Sequence, residues 1–400
     1  MNNKAVIVNT GVICNIGNDT QQCFQSLQSQ NAALHFPKHL STFWKETFPV
    51  GEVDQSNTQL AERAGVSPLW PRTALLSTCA AQEALTPISN TALLNETGFF
   101  SANTVGGIDL TENIFAALLE NKEAGKNHQF IHHECGAVTE LVATHFGLGG
   151  FCTTISTACS SSANSIMMAA QMIEDGLLRC AVAGGTDALS RFTLNGFNTL
   201  MIVDKELCQP FDKHRRGLNL GEGAAYLLIM SEALADELQL QKIAFVSGYA
   251  NANDAYHQTA SSPEGAGNQL AMRNALVRAG LQPEDISYIN AHGTGTPNND
   301  SAECAAIQNV FETACPPFSS TKSYTGHTLA ASGAVEAVFS TLSLKHDMIF
   351  PNLRHREAMD DVHITPVTHL QTSAGLKHVL SNSFGFGGNC SSLIFSKIKV

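Results

Sequence analysis

The sequence predicts an α/β protein, with a mostly parallel sheet carrying helices on its faces. Three observations point there. Short apolar and β-branched runs alternate with stretches whose apolar residues recur at helical spacing. Hydrophobic residues make up 44% of the 400-residue chain and charged residues only 14%, as expected when elements are buried on several sides. Thirty-one glycines provide the tight turns between them. A chain of this length accommodates two core-bearing lobes, and its composition excludes a disordered or coiled-coil protein.

Taken in order, the apolar run from Val6 is expected to be a first strand, being too short for a signal peptide. No apolar run approaches the roughly 18 residues of a membrane span, so a cytoplasmic enzyme is expected. The β-branched run at 153–155 gives way to a segment with Ala163, Ile166, Met167, Ala170 and Ile173 on one helical face. Ala181 to Gly185 reads as a short buried strand, and Ala224 to Met230 as a central one. A charged helix between Met230 and Gln241 divides the chain into 1–235 and 236–400. The second part restarts with a strand from Ile243 to Gly248. It continues with helical spacing over Leu270 to Ala279, a short strand from Ile286 to Asn290, and helical spacing again over Ser332 to Leu344.

The net charge of −12 argues against nucleic acid as a partner. Eleven cysteines, an odd number without a Cys-x-x-Cys pair, fit a reduced compartment better than a disulfide framework. Most are expected to fill the core, Cys79 and Cys180 among them. Cys159 differs. It sits in Thr153-Thr-Ile-Ser-Thr-Ala-Cys-Ser-Ser-Ser162, where a strand-like run stops and a helix begins, and free N–H groups there favour a thiolate. His292 lies in Asn290-Ala-His-Gly-Thr-Gly-Thr-Pro297 and His327 in Thr321-Lys-Ser-Tyr-Thr-Gly-His327, both in short polar turns. A Gly-rich turn, Asn382-Ser-Phe-Gly-Phe-Gly-Gly388, follows; no Gly-Lys-Ser/Thr accompanies it, so it is not a phosphate loop. Together these segments read as covalent acyl transfer through a cysteine assisted by two imidazoles. His132 and His133 are adjacent and, on an extended segment, point opposite ways, which disfavours a metal site.

The four segments, in order and spacing, resemble the β-ketoacyl-[acyl carrier protein] synthases. The likeness starts at Val6 to Asp19, where Gly11 and Ile16-Gly-Asn-Asp19 match, and runs to Ser396. It implies a thiolase-like fold of two similar halves in a layered α-β-α-β-α arrangement. The nucleophile would come from the first half and both histidines from the second. It also implies the reaction: Cys159 takes an acyl group from a carrier thioester, His292 and His327 promote decarboxylation of malonyl carrier, and the carbanion attacks the acyl-cysteine. The amides of Cys159 and Phe386 would bind the oxyanion, with Gly385, Gly387 and Gly388 letting backbone approach. Lys322 and Glu336 would pair as buried supports, with Asp300 and Glu303 behind them. Phe386 would gate the acyl pocket together with the loop from Asp254 to Pro263, while Phe384 is core. Val105 and Phe197 would line the acyl pocket.

The family needs no metal or redox cofactor, because substrates arrive on the phosphopantetheine arm of an acyl carrier protein. Lys213 and Arg216, with Lys205 nearby, form the densest basic patch for that carrier, and Arg215 is expected to pair internally with Asp212. A homodimer or a heterodimer with a homologous subunit is implied. The reaction is expected in fatty acid synthesis or in a specialised polyketide or polyene-type pathway, and three departures from the family pattern point to a specialised role rather than to housekeeping fatty acid synthesis. Asn389-Cys390 replaces Thr-Asn, Arg216-Gly-Leu218 replaces Asp-Gly-Phe, and glycines are lost at Ala102 to Thr104. The rival readings are a thiolase using Cys390 as second thiol, a starter-type synthase with a Cys-His-Asn set, and a chain-length-factor scaffold. The scaffold typically lacks the nucleophile.

Overall fold

The computed structural model describes residues 3–120, 127–360 and 362–398. In chain order its strands are β1 (Ala5–Cys14), β2 (Gly98–Ala102), β3 (Cys152–Ile155), β4 (Cys180–Asp187), β5 (Gly223–Ser231), β6 (Ala244–Asn253), β7 (Tyr288–Asn290), β8 (Phe318–Ser319), β9 (Met348–Ile349), β10 (Gln371–Thr372), β11 (His378–Gly385) and β12 (Asn389–Lys397). Ten of them form one sheet ordered β3-β2-β4-β5-β1-β6-β12-β11-β7-β8, while β9 and β10 pair separately. From the β1/β6 boundary the order runs outward in the same way on both sides. Each half has two antiparallel junctions followed by two parallel ones.

The sheet is therefore mixed rather than mostly parallel. The physical reason is plain in β5, where every residue is buried although both its neighbours run antiparallel to it. A continuous apolar run reports burial on both faces, and strand direction leaves no mark on it.

Two helices, Ser161–Glu174 and Ser332–His346, pack against strands of both halves and against each other. Residues Ser332 to Leu344 are all buried, which explains why that helix has no polar face. The crossing is tight: a Cβ on Gly333 would lie 2.8 Å from the Ala163 nitrogen. On the opposite face of the first half lie the helices Arg72–Ala84 and Cys135–Phe146, sharing one core with β2, β4 and β5. The helices Ala266–Ala279 and Pro297–Phe311 cover the second half in the same way. The two halves of the one sheet thus make two layers, with the two central helices between them and a helical layer outside each. The charged segment after Met230 contributes only the short helix Glu232–Glu237 before β6 begins. His133 bonds through Nδ1 to the Thr111 hydroxyl at 3.0 Å.

Candidate active site

The chain turns sharply between β3 and the helix Ser161–Glu174. Ala158 takes a left-handed φ of 53°, and the backbone N–H groups of Phe386 and Cys159 point at the Cys159 sulfur. Strain at a non-glycine residue is held only where the surroundings fix it. Here Ser161 Oγ bonds the Thr157 N–H at 2.8 Å and the Ala158 carbonyl, and Ser160 Oγ bonds Asn389 Oδ1 at 2.6 Å. That same Oδ1 accepts from Asn164 at 3.0 Å and from Asn251 at 2.7 Å. The base of the glycine turn is thus bound to the residue beside the nucleophile.

His292 follows β7 and His327 follows the short helix Lys322–Thr325. The Cys159 sulfur and one ring nitrogen of each histidine lie within 4.8 Å of one another, and all three residues are buried. The imidazole rings stand nearly perpendicular, with centroids 5.4 Å apart. Each ring has its Nδ1 occupied as an acceptor. The Leu329 N–H donates to His327 Nδ1 at 3.1 Å, with the Ser332 hydroxyl at 2.9 Å. The Lys322 ammonium donates to His292 Nδ1 at 3.1 Å and to its carbonyl at 2.8 Å. The proton of each neutral ring therefore sits on Nε2, aimed into the site. A ring nitrogen carrying a proton has no lone pair for a metal, so this arrangement donates hydrogen bonds rather than ligating an ion.

Burial pushes both imidazoles well below their ordinary value of 6.5; Lys322 adds to the effect at both, and His327 adds to it at His292. The rings remain neutral. Lys322 pairs with Glu336, whose carboxyl burial raises to about 7 against the pull of that lysine. Glu303 accepts from the backbone of His292 at 2.8 Å and of Gly293 at 2.7 Å, while Asp300 accepts from Thr294, Gly295 and Phe211. The expected supports are all in contact with the histidine turns.

Cys159 departs from expectation in one respect. Complete burial pushes its thiol up to about 11, and Lys322 and the two N–H groups pull it down without prevailing. The resting group is a thiol, because removing water outweighs Lys322 and the two N–H groups. Cys390 also lines the cavity, but burial pushes it to about 12, and its thiol is held by Asn268 Oδ1 and the Gly388 carbonyl. A buried thiol so engaged is no base, and the thiolase reading loses its second cysteine.

Two cavities share the Cys159 residue in their walls. One, of about 300 Å³, is lined by Thr259, Ser261, Thr294, Thr296 and Asn298 as well as by both histidines and Phe384. The other, of about 470 Å³, is apolar and open-sided, and is walled by Val105, Phe192, Phe197, Leu200, Leu329 and Phe386. Phe197 and Phe386 stack at 5.9 Å between them. Gly387 donates to the Gln258 carbonyl at 2.7 Å and Gly388 accepts from the Asp254 N–H at 2.8 Å, so the glycine turn and the 254–263 loop are joined. Phe384 is buried, as a core aromatic should be, yet it also lies 5.9 Å from the His292 ring.

The basic patch is corrected. Lys213 pairs with Glu357 and Asp360, and Arg216 with Asp204 and Glu206, so neither presents a free charge. The Arg215 side chain is largely covered: it donates to the carbonyls of Asp212 and Pro297 and lies 3.9 Å from Asp300. The Asp212 carboxylate instead accepts backbone N–H groups of His214, Arg356 and Glu357. Two participants escaped the sequence reading, Asp187 and Ser332. An acid ending a strand of small buried residues was the available signal for Asp187.

Residues 3–235 match the family described as Beta-ketoacyl synthase, N-terminal domain, and residues 243–356 match Beta-ketoacyl synthase, C-terminal domain. The chain is 29% identical over 410 residues to the 3-oxoacyl-[acyl-carrier-protein] synthase 2 of Staphylococcus aureus (strain COL), covering 100% of this chain and 99% of that one. Among solved structures it is similar to the ishigamide ketosynthase/chain length factor, with a TM-score of 0.93, 26% identity and complete coverage of both chains. It is also similar to the ketosynthase ApeO in complex with its chain length factor ApeC from Xenorhabdus doucetiae, with a TM-score of 0.86 and 30% identity, covering 99% and 98% of the two chains.

Proposed function

The chain belongs to the β-ketoacyl synthase family, and we propose that it condenses an acyl group held on Cys159 with malonyl-[acyl carrier protein], with loss of carbon dioxide. The observation that carries this is the meeting of one sulfur and two Nε2–H donors where two cavities share Cys159 in their walls.

In the first half-reaction the Cys159 sulfur attacks the carrier thioester and the carrier thiol departs. The cysteine proton ends on the departing sulfur, since both ring Nε2 atoms already hold protons and neither can accept one. The amides of Cys159 and Phe386, both of which act on the sulfur, would hold the oxyanion formed beside it. In the second, malonyl carrier loses carbon dioxide and its enolate oxygen accepts from His292 and His327. The enolate carbon attacks the acyl carbonyl, the Cys159 sulfur leaves as thiolate, and it takes up one proton to return to the thiol. No electron transfer enters this balance, so none of the chain's groups need be redox-active. Residues 1–235 supply the nucleophile and 236–400 the histidines, Lys322 and the glycine turn.

The open side of the apolar cavity supports a second subunit. Phe192 lines that cavity and is 67% exposed. A homologous subunit, the same chain or a chain length factor as in the similar solved assemblies, would close it.

The test is intact mass after mixing with acyl carrier thioesters, beside Cys159→Ala. One adduct on Cys159 that clears on adding malonyl carrier, with release of a chain two carbons longer, is expected. Absence of an adduct both for the chain alone and for the chain co-purified with a homologous subunit would overturn the reading in favour of a scaffold.

A further inference from the structure

Asp187 ends β4 with its side chain fully buried. Its carboxylate takes four hydrogen bonds, all from neutral donors. Oδ1 accepts the N–H of Thr104 at 2.9 Å and of Val105 at 3.1 Å. Oδ2 accepts the Thr104 hydroxyl at 2.6 Å and the Ala330 N–H at 2.9 Å. These donors belong to two segments that are otherwise far apart in the chain. Thr104 and Val105 follow β2 and line the apolar cavity. Ala330 lies in the turn Leu329–Ala331, whose Leu329 N–H fixes the His327 tautomer and whose Leu329 side chain lines the same cavity.

Packing alone does not call for an acid here. A buried carboxylate costs several kcal/mol unless its oxygens are satisfied, and a well-packed apolar side chain serves a purely structural position at least as well. What a carboxylate alone offers is acceptance from several donors with no donor of its own, which locks two backbone segments to one point. Burial raises this carboxyl to about 6.

We infer that Asp187 is a positioning residue that ties the inner wall of the acyl cavity to the turn holding His327, so that acyl-length choice and decarboxylation are set together. The inference rests on the condensing reading above. A displacement of about 1 Å at such a site costs up to about a hundredfold in rate.

The experiment compares wild type with Asp187→Asn, which keeps the size but turns an NH2 group toward N–H donors. Saturated acyl carriers of graded length are offered, adducts on Cys159 are measured by intact mass, and malonyl carrier decarboxylation is followed separately. The expected result is a change of about tenfold in the ratio of long to short adducts, together with a fall of about tenfold or more in kcat at unchanged KM for malonyl carrier. A merely structural residue would lower the unfolding temperature and leave both quantities unchanged per folded molecule, which overturns the inference, as does movement of only one of them. Should Asp187→Asn not fold, Thr104→Val removes only the hydroxyl bond; an unchanged length ratio there also overturns it. Wild type that takes no acyl group would instead refute the condensing reading itself.

Discussion

Lys322 Nζ lies 2.8 Å from the carbonyl oxygen of His292 and 3.1 Å from its Nδ1, while pairing with Glu336. One buried ammonium thus compensates an acid and fixes an imidazole tautomer. Lys322→Met leaves the Glu336 carboxyl uncompensated and is expected to lose about 3 kcal/mol of stability, as when one partner of a buried pair is removed. Adding Glu336→Gln should restore most of the denaturant midpoint without restoring decarboxylation. If activity returned with stability, Lys322 would have no part in setting the histidine.

Decarboxylation is expected to stay level from pH 8 down through 6.5, because both imidazoles are held well below 6.5, chiefly by burial. A midpoint near the ordinary imidazole value in the pH–rate profile would show the rings to be solvated. Stability follows the same groups. Unfolded imidazoles take up protons below about 6.5 and the folded ones resist, so this contribution is present above that pH and lost as pH falls. Urea midpoints should drop on acidification, and less so in His327→Asn.

Alkylation of Cys159 by iodoacetamide should climb steadily between pH 7 and 10, since the thiol is pushed up to about 11. The label is assigned by peptide mapping against Cys159→Ala. A rate already saturated at pH 8 would mean that the dipole and Lys322 outweigh burial after all.

Arg215 and Arg216 are neighbours with opposite fates. Arg215→Met removes a largely covered cation from beside Asp300 and should cost about 3 kcal/mol, read by denaturant unfolding. Arg216→Ala, on the surface, should leave the unfolding temperature unchanged. Because Lys213 and Arg216 are already matched by acids, replacing either should change the KM for acyl carrier by less than about threefold. A tenfold rise would restore them as docking residues.

Gly333→Ala places a methyl 2.8 Å from the Ala163 backbone nitrogen, where the two central helices cross. Overpacking of this kind costs about 1–3 kcal/mol. It should also slow condensation, measured per folded molecule, because the nucleophile and the second histidine stand at the starts of those two helices. Loss of stability with unchanged kcat would show that the helices part without moving the site.

The chemistry was the most legible part of the sequence. Cys159, His292 and His327 stand where short apolar runs end in polar or glycine-rich turns, and such ends are where a sheet exposes reactive groups. Lys322 and Glu336 were legible as a pair by family likeness alone. What was hidden depends on distance through space. The thiol of Cys159 reads as activated from its helix position, and only the closed surroundings reverse that. Lys213 reads as free because Glu357 and Asp360 come to it from far downstream. Asp187 gives little signal because three of its four donors are backbone N–H groups, which every sequence contains.

The strand order that repeats outward from β1 and β6 carries a consequence for ancestry. Read as a doubled unit, the loops after β2 and β3 in the first half correspond to those after β7 and β8 in the second. One pair supplies the Thr104–Val105 wall and Cys159; the other supplies His292 and, beyond it, Lys322 and His327. A single unit that met its own copy would already have had four such loops around one axis, two of each kind. In the present chain one copy holds the sulfur and the other both imidazoles. Two identical units would carry the same groups on both, so the split seen here depends on the two halves differing in sequence.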